Sequence, residues 1–156
     1  MLRPLAVLLA LTLPAHANEL APVLTDYWTK SGSLPSEYAW ETSILIREDG
    51  QLELKHCKGY ETEGPACKLR TSKVSEAALD AIRPAATESG LIGKPARQTE
   101  TPMVGGGLTR GRVNLAGGTV DLPSQPADAD VERVGKVLQA IAAAIPPRFD
   151  RFTDPD

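Results

Sequence analysis

The alternation of apolar and polar residues is clearest between Trp40 and Cys57. There Ile44, Leu45 and Ile46 run into Glu48-Asp49-Gly50, and Leu52 and Leu54 follow on the far side. Two registers would close a hairpin. A two-residue loop at Asp49-Gly50 sets Ile46 opposite Glu53 and Leu45 opposite Leu54, which mixes apolar and charged groups on both faces. A three-residue loop, Glu48-Asp49-Gly50, sets Ile46 opposite Leu52 and Ile44 opposite Leu54. Side chains alternate faces with period two, so the second register gathers the aliphatic residues on one side and is the one expected. Gly50 suits the left-handed position that ends such a loop.

A second hairpin is expected over Arg112 to Leu122, closed by a two-residue loop at Gly117-Gly118. That loop sets Leu115 opposite Val120 and Val113 opposite Leu122, with Asn114 facing Asp121 on the other side. Lys68 to Val74 reads as a third strand behind the first hairpin. Helical spacing occurs twice. Ser75 caps a run in which Ala78, Leu79, Ile82, Ala85 and Ala86 share a face. Pro84 predicts a kink or break near Asp80 to Arg83, and Gly90 a left-handed ending. The last helix is expected from Ala127 to Ile145, with a buried stripe of Val131, Val134, Leu138, Ile141 and Ile145. Gly135 beside that stripe would let the helix approach the sheet. Pro146-Pro147 ends it, leaving Arg148 to Asp156 as a polar tail.

Other stretches carry less pattern. Tyr27, Trp28, Tyr38 and Trp40 crowd into Asn18 to Glu41 and read as a lid over the edge of an aliphatic core. The loop from Ile92 to Gly107 is long for a compact domain, which marks it as functional or mobile. Its three glycines do not make a phosphate cradle, because Arg110 stands where a third spaced glycine belongs and a strand, not a helix, follows. The element order predicts a two-layer α+β domain: a mostly antiparallel sheet of two hairpins with two helices on one face.

Composition adds a compartment. Arg3 is the sole charge before the apolar run Leu5 to Leu13, Pro14 breaks the run, and Ala15-His16-Ala17 has the small-x-small form of a cleavage site. The expected organisation is a signal peptide over residues 1–17, one domain over 18–147, and the tail over 148–156. Cleavage after Ala17 predicts an exported protein, periplasmic or secreted, whose mature chain is not inserted in a membrane. Of the 17 basic residues only Arg3 falls in the leader, so 16 stand against 20 acidic ones, a net charge of −4. An acidic domain without a basic cluster is a poor ligand for nucleic acid.

An oxidising compartment also explains the two cysteines. Cys57 and Cys67 fit neither a redox Cys-x-x-Cys pair nor a zinc site, and a bond between them would close a ring of about eleven residues. His56, the only histidine after the leader, is next to Cys57. In a strand the two would point to opposite faces and could not act as nucleophile and base. Asp128, Asp130 and Glu132 begin like a calcium loop, but Arg133 occupies the place of its glycine. No catalytic residue, metal or cofactor is assigned. The expected function is non-catalytic: a binding module recognising another exported macromolecule, a protein, with a peptidase to be inhibited as one candidate. The disulfide-pinned loop would carry that contact through Tyr60, Glu61 and Glu63. The alternative is a small secreted hydrolytic enzyme working with carboxylates.

Overall fold

The computed structural model describes residues 20–59 and 66–153. The expected leader and Tyr60, Glu61 and Glu63 lie outside the described residues. The fold is mixed α+β. Its sheet comprises β1 (Val23–Lys30), β2 (Trp40–Arg47), β3 (Gln51–Lys58), β4 (Cys67–Lys73), β5 (Leu108–Leu115) and β6 (Gly118–Leu122). Every pairing is antiparallel, in the order β4-β3-β2-β1-β5-β6. The helices are α1 (Glu76–Glu88), α2 (Val131–Ala144) and the short α3 (Asp150–Thr153). No helix among the described residues is long and apolar enough to cross a membrane.

The first hairpin has the expected register, Ile44 with Leu54 and Ile46 with Leu52. Gly50 turns it with a φ of 81°, and its N–H bonds Arg47 O at 2.9 Å. The second hairpin is displaced from expectation. Val113 pairs with Val120 and Leu115 with Gly118, so Ala116-Gly117 forms the loop. That is a slip of two residues, which keeps every side chain on its expected face and so leaves the apolar pattern unchanged.

The sheet is wider than the expected two hairpins. β4 extends the first, and β1 lies between the pair, bonded to β2 on one side and β5 on the other. Nothing in the apolar pattern marked β1, because its inward residues include Thr25 and Thr29. Their hydroxyls are satisfied: Thr25 donates to Arg112 O at 2.7 Å, and Thr29 meets the Thr109 hydroxyl at 3.0 Å. Tyr27, between them, is a core residue.

Ser75 caps α1, its hydroxyl accepting from Ala78 N–H at 3.3 Å. The helix runs unbroken through Pro84 and ends at Gly90 in the left-handed region, with Leu91 buried. In α2 the buried face is rotated from the expected stripe. Val134, Val137, Ile141 and Ala144 are buried, Leu138 is half-buried and Val131 is exposed. The expected start at Ala127 is a separate 3-10 turn, Asp128–Asp130, and the helix proper begins one turn later. A Cβ on Gly135 would meet nothing within 4 Å, so that glycine does not mediate a close approach.

One cluster forms the core. It joins Ile44, Ile46, Leu52 and Leu54 of the sheet to Leu79 and Ile82 of α1 and to Val137 and Ile141 of α2. The segment expected as a polar tail enters it too: Phe149 and Phe152 are buried, in a 3-10 turn and α3.

Candidate functional site

Cys57 and Cys67 face each other across β3 and β4 and are bonded, with Cα atoms 4.0 Å apart. The bond ties the end of β3 to the start of β4. Gly59, just after β3, has a φ of 81° and its N–H bonds Ala39 O at 2.8 Å. The end of β3 is therefore held to β4 by the disulfide and to the segment before β2 by this bond.

The same end of the sheet gathers aromatic residues. Trp40 and His56 stack with centroids 6.4 Å apart, and His56 lies 5.0 Å from Phe152. Tyr38 is 69% exposed, and with Trp40, His56 and Lys58 it lines a depression of about 190 Å³. Arg70 and Arg151 lie over the Phe152 ring at 4.2 and 4.7 Å.

Thr42 is fully buried beneath this group. Its hydroxyl donates to Phe152 O and sits 2.8 Å from His56 Nδ1. With its one proton committed to the carbonyl, it accepts from Nδ1–H and leaves Nε2 as the acceptor nitrogen of the ring. Burial, and then the charges of Arg70, Lys58 and Lys68, hold the His56 pKa below its ordinary value; the Phe152 carbonyl acts in the opposite sense. The Thr42–His56 pair has the form of a nucleophile and base, but the hydroxyl is inaccessible and already bonded. Cys57 is oxidised. Among the described residues no three His, Cys, Asp or Glu side chains converge as a metal site.

Asp130, weighed above as part of a calcium loop, is instead an internal anchor. Its carboxylate accepts from Arg97 N–H at 3.0 Å and from Arg133 at 2.5 Å, and these bonds hold its pKa below the ordinary value. Arg133 also donates to Ser89 O and Lys94 O, so one arginine ties α2 to the end of α1 and to the long loop. That loop is tethered further on. Gln98 bridges Pro126, and the Gln125 amide bonds both the N–H and the C=O of Met103.

A second polar surface had no signature in the sequence, because four strands from separate parts of the chain, β1, β2, β5 and β6, assemble it. On the side of the sheet facing away from Ile44 and Tyr27, the register aligns Ser43, Trp28 and Arg110 in one row. Leu45, Asp26, Arg112 and Asp121 form the next. All of these but Leu45 line a depression of about 520 Å³. Arg112 Nε donates to Asp121 at 2.8 Å, and Arg110 stacks on the Trp28 ring at 4.4 Å. Asp121, together with the more distant Asp26, raises the Arg112 pKa above its ordinary value. Compared with known proteins, the chain matches no family model and no curated protein.

Proposed function

We propose that this is an exported binding module, freed of residues 1–17, that recognises another exported protein through the disulfide-bonded end of its sheet. In this reading α1 and α2 cover one face, and the core they share with the strands supplies a rigid base. The observation that carries it is the exposed Tyr38 beside the Trp40–His56 stack, at the end of the sheet where Cys57 and Cys67 are bonded. Exposed aromatic groups at such a place bring large contact area with few rotors to immobilise. Tyr60, Glu61 and Glu63 would extend the patch, and their tethered ends lower the entropy lost on docking. The disulfide fits an oxidising compartment.

The test is affinity capture by the mature protein from a periplasmic extract, with mass spectrometry of what is retained. Replacing residues 60–63 by Gly-Ser, or Tyr38 by Ala, should abolish retention of any specific partner while the thermal melt stays cooperative. Retention equal to wild type in both variants would remove this surface. Substrate turnover by the purified protein, lost on mutating His56 or a carboxylate, would favour the hydrolytic alternative.

A further inference from the structure

We infer that the trough around Trp28 is a binding site for an uncharged oligosaccharide. The depression of about 520 Å³ adjoins a second of about 240 Å³, and Asp26 and Ser43 line both. Together they cross the strands as one trough. Ser43 supplies its floor, since this short side chain lies in register between Trp28 on β1 and Lys55 on β3. Trp28, half-buried, supplies an apolar wall whose orientation the Arg110 stack maintains.

Three features select the ligand class. Asp26 and Asp121 balance Arg110 and Arg112, so an ion of either sign gains little net attraction there. The same four groups offer both acceptors and forked donors, which suits a ligand whose hydroxyls do both. Trp28, whose ring Arg110 and Lys30 approach at 4.4 and 5.3 Å, lines the trough and adds apolar surface there for the C–H groups of a sugar ring. A peptide is disfavoured because β1, β2 and β5 are hydrogen-bonded on both sides, leaving no backbone groups on this face for an added strand. The site is independent of the partner surface proposed above.

Isothermal titration calorimetry with cellotetraose and chitotetraose tests this, with tetragalacturonate as the charged comparator. At least one neutral tetrasaccharide should give saturable heat. Trp28→Ala and Asp26→Asn should each weaken it tenfold or more, and the Gly-Ser replacement of residues 60–63 should leave it unchanged. Should Trp28→Ala fail to fold, Arg110→Gln, on an exposed side chain, takes its place. Absence of saturable heat with both neutral sugars would overturn the inference. So would tighter binding of tetragalacturonate, or wild-type affinity in the folded variants.

Discussion

Thr25, Thr29 and Thr42 occupy inward positions of the sheet, and each hydroxyl has a partner there. Thr42 has two, which makes it the most consequential. Thr42→Val keeps the volume but removes the hydroxyl that bonds both His56 Nδ1 and the Phe152 carbonyl. Chemical denaturation should show a loss of about 1–3 kcal/mol. His56 itself gives a pH signature. Its folded pKa lies below the unfolded value of roughly 6.5, so the unfolded chain binds more protons between the two, and stability rises with pH through that window. Wild-type melting temperature should therefore fall from pH 7 to pH 5, and His56→Gln should flatten the curve. Asp130 has linkage of the same sign, in a more acidic window. Its folded pKa is depressed, so its contribution is whole above the unfolded value and lost as pH falls through the folded one. The melting-temperature gap between wild type and Asp130→Ala should be constant above about pH 5 and close in stronger acid. These networks were illegible in the sequence because each unites residues far apart: Thr42 with Phe152, Arg97 with Asp130.

Among the elements, the legible ones were those whose own residues carry both turn and face. β2 and β3 had an apolar alternation and a glycine at the required conformation, and their register could be read directly. β5 and β6 had the alternation too. Period two cannot distinguish registers two residues apart, so the loop was misplaced while the faces were right. β1 was hidden by its threonines, and Phe149 and Phe152 by charged neighbours that show no period. The α2 face was misjudged by about one position, which a substitution pair makes measurable. Val137→Asp should abolish cooperative folding, because an unpaired carboxylate in the core costs several kcal/mol. Lys136→Asp loses only an exposed pair with Glu132 and should melt within a few degrees of wild type. Two glycines make a second contrast. Gly135→Ala meets open space in a helix and should stabilise by up to about 1 kcal/mol. Gly32→Ala would place a methyl 1.9 Å from Gly106 O at a φ of +81° and should destabilise.

For the whole molecule, the disulfide and the strand order have separate consequences. The ring closed by Cys57 and Cys67 is small, worth about 2.5–3 kcal/mol on a chain-entropy estimate. The double serine variant should thus keep a cooperative transition at a lower denaturant midpoint. Intact mass of exported protein should give a chain beginning at Asn18 with no alkylatable thiol before reduction. The strand order concerns assembly. Among the described residues β1 is the first strand along the chain, and it joins the meander β2–β4 to the hairpin β5–β6. Its partner Arg112 follows Thr25 by 87 residues. Vectorial synthesis therefore completes four strands while one long edge of β1 is still waiting for its neighbour. A nascent chain halted before Leu108 would carry that edge uncovered, a template for any extended segment nearby. A fragment ending at Gly107 should associate with itself, and a peptide spanning Leu108 to Leu122, supplied in trans, should suppress that association by taking the vacant place.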